Sequence, residues 1–418
     1  MRVFKFGGAS VKDAEAVKNM VSLLRCEGTK NTLMVVSAMG KMTNAFEALI
    51  NAYFYKKDKL KQTLYFIKDF HFKILNNLFI DDDKLVYNKL NLLFNQLDEL
   101  LKTNQNKSYN YTYDQIVGFG ELLSTTLVSE YLNYVGLQNQ WLDVRLLVKT
   151  DDNYRDAKIN WAATEKSIKE NISSTKLNIT QGFLGSCNGK TTTLGREGSD
   201  YTAGIFAYCL NATSLTIWKD VEGVLNSDPR VFLETKLLTE ISYAEAIEMA
   251  FYGASVIHPK TIQPLEKKNI PLYVRSFDDL TKKGTLVHRG LTLKPLIPCF
   301  IVKKNQILIS VSAKDFSFMV ENNISYIFKK LHLHRLKVNL IQNSALSFSV
   351  CVDDKFGNYN KFYQQVQEMY NIKLHKGVSL FTIRHFNSRA IELVKKRGKA
   401  LINQINTKTA QLVIKEAK

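Results

Sequence analysis

The 418-residue sequence predicts an α/β protein, a mostly parallel sheet between layers of helices, followed by a smaller α+β region. Strand and helix signals alternate from the first residues, which favours parallel strands with helices on their faces. Two prolines, Pro295 and Pro298, then interrupt the pattern. Beyond them the signals follow the order β-α-β-β-α, which is typical of a small α+β unit.

The opening segment carries the clearest alternation. Arg2–Phe6 is rich in β-forming residues, residues 11–25 have apolar residues at helical spacing, and residues 32–37 read as a buried strand. A helix is predicted from Thr43 onward. Residues from about 48 to 106 contain no glycine or proline and predict a helical subdomain laid over the sheet. Further strands are predicted over residues 141–145 and 177–184.

A glycine pair near residue 185 resembles a phosphate-binding P-loop but has the wrong spacing. Only three residues separate Gly185 from Gly189, where the P-loop pattern needs four. Asn188-Gly189 is instead a strong two-residue turn signal between residues 183–187 and 190–194. The sequence therefore predicts a β-hairpin here.

A capping-box pattern, Ser242-Tyr-Ala-Glu245, predicts a structural helix that runs through Phe251 and ends near Gly253. We place the domain boundary at the two prolines, which gives a first domain of residues 1–295 and a second of residues 296–418. The first module of the second domain covers residues of about 305–375. Its predicted strands are 306–313, 337–342 and 347–352, and its predicted helices are 326–334 and 360–369.

A second β-α-β run predicts a weaker copy of that module. Its strand, helix and strand are predicted over residues 378–385, 390–403 and 411–415. This module would comprise residues of about 376–418 together with 296–304. We expect it to be truncated, because the sequence ends soon after its last strand.

Charge is the outlying feature of the composition. Lys and Arg number 57 against 39 Asp and Glu, a net charge of +18, which is compatible with nucleic acid, a membrane surface, an anionic substrate or a Lys-rich genome bias. Residues 296–418 hold 20 basic and 7 acidic residues, so most of the excess lies in the second domain. We therefore expect neither nucleic acid nor a membrane as partner.

The cysteines and the N-terminus indicate in which cellular compartment the protein is expected. Five cysteines are scattered with no CxxC pair, which argues against a disulfide framework or a zinc cluster. No apolar stretch approaches the ~18 residues of a membrane span, and no apolar run follows the basic residue at the N-terminus. A cytoplasmic location is the prediction.

The first strand runs directly into Gly7-Gly8. Glycines at this position expose backbone N–H groups to phosphate oxygens, and Lys5 supplies a cation beside them. A plain tight turn is the alternative reading of the same residues. A phosphate site here is thus a hypothesis that needs a second signal.

That second signal is Leu194-Gly-Arg-Glu-Gly-Ser-Asp-Tyr-Thr-Ala203, which opens a predicted helix. Arg196 could bind a carboxylate in a bidentate manner, and Ser199 with the free N–H groups would bind anions. Asp200 is an acid in the site or an ordinary negative charge at a helix N-terminus. A later segment, residues 218–230, mixes turn formers with charges and by itself indicates only a surface loop.

Seven motifs in order resemble those of the aspartate kinases. They span nearly all of residues 1–295, and the trailing unit is similar to the paired ACT regulatory modules of the same family. The resemblance implies an amino-acid-kinase-like α/β/α sandwich with ACT-like modules. The motifs are Lys5-Phe-Gly-Gly-Ala-Ser10, Val35-Val-Ser-Ala38 with Thr43-Asn44, Gly118-Phe-Gly-Glu-Leu-Leu-Ser124, Trp141-Leu-Asp-Val-Arg145, Leu194-Gly-Arg-Glu-Gly-Ser-Asp200, Asp220-Val-Glu-Gly-Val with Asp228-Pro-Arg230, and Gly253-Ala-Ser-Val-Ile-His-Pro259.

The resemblance implies phosphorylation of the side-chain carboxylate of L-aspartate by ATP with Mg²⁺, which yields 4-phospho-L-aspartate, the first step towards lysine, threonine and methionine. Lys5, Arg196 and Asp200 would be catalytic, with Lys5 on the transferring phosphoryl group and Asp200 orienting Lys5 or the metal-bound phosphates. Aspartate would contact Ser37, Thr43, Glu121, Phe183, Arg196 and Ser199. The nucleotide would contact Lys5, Gly7, Gly8, Ser10, Lys219, Asp220, Leu225, Arg230 and Ser255. No metal ligand is assigned.

Some positions depart from the family pattern. Ser255 stands where many relatives carry a nucleotide-contacting lysine, and Leu225 where a tyrosine is common. Lys219 and Lys260 are candidate replacements for the missing lysine. Lysine-sensitive relatives commonly read Val-Asp-Leu-Ile where this chain has Asn339, so we expect weak or absent inhibition by lysine. A homodimer or higher homo-oligomer through the ACT-like modules is expected.

Other functions remain open at the level of sequence. One methylene changes selectivity by only ~1–3 kcal/mol, so composition does not separate aspartate from glutamate or acetylglutamate as acceptor. A nucleotide monophosphate kinase is a further alternative. A catalytically weak, aspartokinase-like amino-acid sensor is the alternative from a different class, motivated by Ser255 and Leu225.

Overall fold

The computed structural model describes residues 1–79, 84–106, 108–254, 257–315 and 317–416. The chain forms two compact units that alternate along the sequence. The first unit comprises Met1–Val224, Leu237–Ile247 and Val256–Leu293, and the second comprises Leu225–Lys236, Glu248–Ser255 and Lys294–Lys418.

The first unit is built on an eight-stranded sheet in the order β3-β4-β2-β1-β7-β9-β10-β8. Six of its strands are parallel, and β10 and β8, which are parallel to each other, run in the opposite direction, since β10 pairs antiparallel with β9. The strands are β1 (Arg2–Phe6), β2 (Thr32–Val36), β3 (Asn139–Leu142), β4 (Leu177–Gln181), β7 (Ser214–Lys219), β8 (Glu240–Ser242), β9 (Leu272–Ser276) and β10 (Thr285–His288).

The predicted hairpin is present as β5 (Leu184–Cys187) and β6 (Lys190–Thr193), which pair antiparallel. Asn188 and Gly189 between them both have positive φ, 48° and 75°. A turn with two positive φ angles matches the twist of the flanking strands. The hairpin prediction is confirmed, and the P-loop alternative is excluded.

Helices connect and cover these strands. Asp13 caps the first of them, since its side chain accepts a hydrogen bond from the Ala16 N–H. The helices are α1 (Ala14–Glu27), α2 (Met42–Tyr55), α3 (Leu60–Leu78), α4 (Lys84–Thr103), α5 (Tyr109–Val117), α6 (Phe119–Tyr134), α7 (Val144–Leu147), α8 (Trp161–Asn171), α9 (Gly198–Cys209), α10 (Tyr243–Tyr252) and α11 (Pro259–Lys268). None of the described helices combines the length and apolar character that crossing a bilayer requires.

The predicted strand over residues 141–145 is too long. The strand stops at Leu142, and the carboxylate of Asp143 then accepts a hydrogen bond from the Arg145 N–H. That bond caps α7. The prediction was wrong for the last three residues because a side-chain cap satisfies the backbone as well as a sheet neighbour does.

One large buried cluster of the first unit lies on one face of its sheet. Phe4 and Phe6 alternate with Lys5 along β1, and both pack against Trp218 of β7. The same buried cluster extends into α2, α3 and α4, where Phe46 and Phe94 are among the largest fully buried side chains. Because neighbouring side chains of a strand point to opposite faces, Lys5 faces away from this core.

The second unit contains a six-stranded antiparallel sheet in the order β12-β13-β11-β14-β16-β15. Its long strands β11 and β14 run through both halves of the sheet, and an irregularity near residue 305 divides the halves. The elements are β11 (Cys299–Ala313), α12 (Glu321–Leu333), β12 (Lys337–Asn343), β13 (Ser347–Asp353), α13 (Tyr359–Val366), β14 (Tyr370–Arg384), α14 (Ser388–Lys395), β15 (Gly398–Ile405) and β16 (Thr409–Glu416).

One half of this sheet has the complete order β-α-β-β-α-β, and the other half has one helix within the described residues. The parallel and antiparallel sheets together confirm the predicted fold class. The helix predicted over residues 390–403 is wrong beyond Lys395, because residues 398–405 form β15 and pair with β16. A ladder of sheet hydrogen bonds here outweighs the local helical spacing.

Candidate active site

Two lysine side chains project from the sheet of the first unit at the same edge. β1 and β7 are parallel neighbours in which Lys5 lies opposite Ile217, two residues before Lys219 at the end of β7. Alternate residues of a strand point to the same face, so the Lys5 and Lys219 side chains share a face at the carboxyl edge of the sheet. In open α/β sheets this edge is where ligands bind.

Asp200 lies in the first turn of α9 and holds both lysines. Its Oδ1 is 2.6 Å from the Lys5 Nζ and its Oδ2 is 3.8 Å from the Lys219 Nζ. Asp200 is 4% exposed and Lys5 is 8% exposed. Burial by itself would raise the pKa of Asp200, but the charges of Lys5 and Lys219 outweigh it and hold that pKa below its ordinary value. Asp200 is therefore a carboxylate at neutral pH, shared by two ammonium groups.

The glycine loop after β1 lies beside this cluster. A Cβ atom at Gly7 would lie 3.3 Å from the Lys5 Nζ, and one at Gly8 would lie 2.6 Å from the Gly40 carbonyl oxygen. The Gly40 N–H donates to the Gly8 carbonyl at 2.9 Å. Only glycine permits this approach, because any side chain at residue 8 would collide with backbone. Ser10, which is buried, donates weakly to the Trp218 carbonyl at 3.4 Å.

Glu121, in the first turn of α6, is a buried carboxyl group without a cationic partner among the described residues. It is 2% exposed, and its Oε1 accepts a hydrogen bond of 3.3 Å from the Ala38 N–H. Its Oε2 is buried and has no hydrogen-bond partner within the described part of the chain. Burial raises the pKa of Glu121 to about 8. A carboxyl group in this condition would bind a cationic hydrogen-bond donor strongly.

Ser37 and Thr43 lie on either side of the sharp turn between β2 and α2. The Ser37 N–H donates to the Phe6 carbonyl at 3.1 Å, and the Ser37 carbonyl accepts from the Ser124 hydroxyl at 2.7 Å. Thr43 is half-buried in the first turn of α2. The end of β2 therefore stands next to the glycine loop, and Ala38 in the same turn contacts Glu121.

The turn after β4 packs against the N-terminus of α9. A Cβ atom at Gly182 would lie 2.5 Å from the Ser199 Cβ, and one at Gly198 would lie 2.5 Å from a Phe183 ring carbon. The Phe183 N–H donates to the Thr202 hydroxyl at 2.9 Å. These contacts place Phe183 and Ser199 side by side at the edge where Asp200 lies.

Arg196 is exposed just before α9, and its guanidinium forms no ion pair within the described residues. Nearby, His258 caps α11 by accepting from the Lys260 N–H. Burial first, and then the charges of Lys260 and Arg196 against that of Glu197, lower the pKa of His258. Lys260 itself pairs with Asp156 at 2.5 Å, so it is already engaged.

Four further predicted nucleotide contacts form no described contact with this cluster or lie outside the described residues. Asp220 is exposed just after β7. Leu225 and Arg230 belong to the second unit, where Arg230 is exposed and pairs with Asp228 at 2.8 Å. Ser255 lies outside the described residues.

Sequence reasoning missed Gly40, Gly182 and His258 as parts of this site. The Gly40 carbonyl oxygen lies against Gly8, and Gly182 lies against Ser199. His258 caps a helix next to Arg196. The sequence carried signals for two of them. Gly40 follows a buried strand, and His258-Pro259 matches a cap followed by proline in the first helical turn.

A metal held by the protein alone is not supported. No group of three or more His, Cys, Asp or Glu side chains converges within the described residues. Asp200 already faces two ammonium groups.

Comparisons with known proteins agree with one another. Residues 1–276 match the amino acid kinase family. Lysine-sensitive aspartokinase 3 of Escherichia coli (strain K12) is 34% identical over 360 residues, which cover 84% of this chain and 78% of that protein. The chloroplastic bifunctional aspartokinase/homoserine dehydrogenase 1 of Arabidopsis thaliana is 30% identical over 90% of this chain, which spans only 42% of that longer protein.

Solved structures of an aspartokinase are also similar to this chain. The fold is similar to that of E. coli aspartokinase III in complex with lysine and aspartate (T-state), with a TM-score of 0.83 and 28% identity. The same enzyme in complex with aspartate and ADP (R-state) gives a TM-score of 0.81 at 28% identity. Each match covers 99% of this chain and 96% of the other.

Proposed function

This chain belongs to the amino acid kinase family and, within it, to the aspartokinases, and we propose that it transfers the γ-phosphoryl group of ATP to the side-chain carboxylate of L-aspartate. The products are ADP and 4-phospho-L-aspartate. In biosynthesis this reaction is the first step towards lysine, threonine and methionine.

The Lys5–Asp200–Lys219 cluster beside the glycine loop is the observation that carries this proposal. Phosphoryl transfer needs positioning and neutralisation of negative charge more than it needs covalent chemistry by the protein. Two ammonium groups against one carboxylate leave an excess positive charge at the sheet edge. Lys5 would contact the transferring phosphoryl group, Asp200 would hold Lys5 in place, and Lys219 would contact the nucleotide phosphates.

The amino-acid substrate carries an ammonium group and two carboxylates. Glu121, with its buried and unpartnered Oε2, suits the ammonium group. Ammonium binding would favour the ionised form of Glu121, whose pKa is about 8 without a ligand, and so would release a proton near neutral pH. Arg196 suits a carboxylate. Ser37, Thr43, Phe183 and Ser199 would line the same pocket.

ATP normally carries Mg²⁺, which neutralises phosphate charge. The described residues do not offer a set of side chains that fits a protein-held Mg²⁺ site. Such an ion would therefore enter bound to phosphate oxygens and water, as Mg²⁺ commonly does in kinases. Contacts from Gly7, Gly8, Ser10 and Asp220 to the nucleotide are part of the proposal, and those of Leu225, Arg230 and Ser255 stay predictions.

Homo-oligomers and a cytoplasmic location also remain proposals. The six-stranded sheet of the second unit ends on strands β12 and β15, and unpaired edge strands are surfaces through which copies of a chain can associate.

Release of ADP, measured with a coupled assay, tests the function. We expect turnover with L-aspartate, little with L-glutamate and none without an acceptor. Lys5→Ala should lower kcat by about 10²–10³-fold, because it removes charge stabilisation of the transition state. Lys18→Ala, which removes an exposed lysine on α1, is the matched control and should keep wild-type turnover.

The outcomes separate the candidate functions. Turnover with glutamate that exceeds turnover with aspartate would show that glutamate, and not aspartate, is the acceptor. No turnover at millimolar aspartate would favour an amino-acid sensor. Undiminished turnover in Lys5→Ala would contradict the role of the cluster.

A further inference from the structure

A buried carboxyl group on α5 joins two segments of the first unit. Asp114 is fully buried. Its Oδ2 accepts hydrogen bonds from the Thr193 N–H at 2.9 Å and from the Arg155 N–H at 3.0 Å. Its Oδ1 accepts a hydrogen bond from the Thr193 hydroxyl at 2.8 Å. Asp114 thus satisfies three donors that belong to two separate segments of the chain.

Both segments adjoin the loop that carries Arg196. Thr193 is the last residue of β6 and lies three residues before Arg196. A Cβ atom at Gly195 would lie 3.2 Å from the Arg155 carbonyl oxygen and 2.8 Å from the Asp156 Oδ1. The Arg155 segment therefore lies directly against the residue that precedes Arg196.

The backbone of this region is unfavourable on both sides of the contact. Arg155, Gly195 and Glu197 have positive φ angles of 74°, 78° and 54°. For the arginine and the glutamate this left-handed conformation costs free energy, so interactions with the surroundings must maintain it. Arg196 itself is exposed. Its direction therefore depends on how firmly the neighbouring segments hold the loop.

We propose that Asp114 is a positioning residue for the proposed reaction: it fixes β6 against the Arg155 segment and so holds the Arg196 guanidinium where a substrate carboxylate binds. The inference rests on the proposed function, since Arg196 has this role only if the chain binds aspartate. A guanidinium binds a carboxylate through two parallel hydrogen bonds, whose geometry tolerates little displacement. Asp114 acts through Arg196 and does not itself contact the substrate.

The ionised form of Asp114 is the one that holds both segments. The charged and titratable groups that face it are Arg155 and Tyr154 on one segment and Tyr113 on α5, while its contact on β6, Thr193, does not titrate. Burial raises the pKa of Asp114 to about 6, although the hydrogen bonds from Arg155 and Thr193 and the Arg155 charge lower it. Protonation turns one acceptor oxygen into a donor, so these hydrogen bonds weaken as pH falls through about 6.

Steady-state ADP release with L-aspartate tests the proposal on the full chain. Asp114→Asn replaces one acceptor oxygen by an N–H₂ group, which cannot accept from the donors it faces. We expect KM for aspartate to rise by about tenfold with little change in kcat, because Arg196 binds the substrate carboxylate alike in the ground state and the transition state.

The matched control is Gln115→Ala, one residue further along the same helix. The Gln115 side chain donates to the Thr191 carbonyl at 2.8 Å and accepts from the Thr191 N–H at 3.2 Å. The control therefore removes two hydrogen bonds between α5 and β6 but leaves the Arg155 segment attached. It should lower stability and leave KM for aspartate near the wild-type value. A KM raised as much by Gln115→Ala as by Asp114→Asn would overturn the proposal.

The pH dependence separates positioning from a general loss of stability. The ratio of KM in Asp114→Asn to KM in wild type should be largest near about pH 8 and approach unity near about pH 5, because wild type then has a protonated Asp114 as well. Titration of Glu121 affects both proteins equally and cancels in the ratio. A ratio that stays constant over this range would overturn the proposal.

Amide hydrogen exchange gives a readout that does not involve the reaction. The N–H groups of Leu194 and Gly198 donate to the carbonyls of Phe183 and Gly195. Their exchange should be faster in Asp114→Asn than in the Gln115→Ala control, and equal rates would overturn the positioning role. Absence of turnover in wild type would contradict the proposed reaction, and the exchange rates would still decide whether Asp114 holds the loop.

A milder variant serves if Asp114→Asn does not fold. Thr193→Val removes the hydroxyl donor to Asp114 and keeps nearly the same side-chain shape, while both backbone donors remain. KM for aspartate should then rise above that of Gln115→Ala, with kcat unchanged. A KM no higher than that of Gln115→Ala would overturn the proposal.

Discussion

Each unit of the chain withdraws a lysine from solvent, but the two lysines have different partners. Lys5 in the first unit faces the carboxylate of Asp200, which it shares with Lys219. Lys303 in the second unit faces the neutral amide of Asn339. The first arrangement keeps a surplus of positive charge available to an anion. The second uses the ammonium to satisfy groups of the protein itself.

The comparison teaches that the partner of a buried lysine, and not its burial, indicates what the lysine does. A carboxylate partner offsets the cost of removing an ammonium from water. A neutral partner offsets less of it, and the pKa of Lys303 is accordingly lowered to about 8. The two sites can be interconverted by single Asp–Asn exchanges, which give the most direct tests.

The largest effect is expected from Asp200→Asn, which makes the Lys5 site resemble the Lys303 site. Lys5 and Lys219 then lose the charge that holds them together, and their mutual repulsion displaces them. We expect kcat to fall by about 10²–10³-fold with a smaller change in KM for aspartate. Steady-state ADP release measures this. Asp69→Asn on α3, which breaks an exposed ion pair, is the control, and a kcat equal to that of the control would contradict the comparison.

An intermediate effect is expected from Glu121→Gln. Glu121 extends the comparison because it is a buried carboxyl group without a cationic partner among the described residues. The neutral amide cannot form a charge-assisted bond to the substrate ammonium, so KM for aspartate should rise by about 10–100-fold. Proton release on aspartate binding, measured by calorimetry in buffers of different ionisation enthalpy, should disappear. Unchanged proton release would contradict the assignment of Glu121.

Glu121→Gln should also change how the free energy of unfolding depends on pH in the absence of substrate. The folded-state pKa of Glu121, about 8, lies above the unfolded value of 4.5, so the folded protein retains the proton longer. Its contribution to the free energy of unfolding is complete below pH 4.5 and is lost as pH rises through about 8. Glu121→Gln should remove this decline from a plot of stability against pH.

The smallest effect is expected from Asn339→Asp, which makes the Lys303 site resemble the Lys5 site. The new carboxylate should raise the pKa of Lys303, which NMR titration of a labelled lysine Cε would follow. In wild type the folded protein loses this proton near pH 8 and the unfolded chain near 10.5, so stability rises with pH between those values. The variant should flatten that rise and therefore gain stability at pH 7. A Lys303 pKa that stays near 8 would contradict the prediction.

Local patterns predicted much of the architecture. The hairpin at Asn188-Gly189 follows from backbone angles that few other residue pairs adopt, and Ser242 caps α10 through the Glu245 N–H as its motif predicts. One error fell where a local side-chain cap at Asp143 ends a predicted strand, and another where local preference competes with a distant partner. Residues 398–405 have helical spacing, but their pairing with β16 makes them a strand.

The sequence by itself determined most of the order of strands and helices, the family, and the residue types available for chemistry at Lys5, Gly8 and Asp200. Only the tertiary structure decided which charges meet. Lys5 and Asp200 are brought together because β1 and the start of α9 share one sheet edge, and Lys303 reaches Asn339 because β11 and β12 lie in one sheet. Electrostatic partners are set by distance and burial in space, and neither can be read from spacing along the chain.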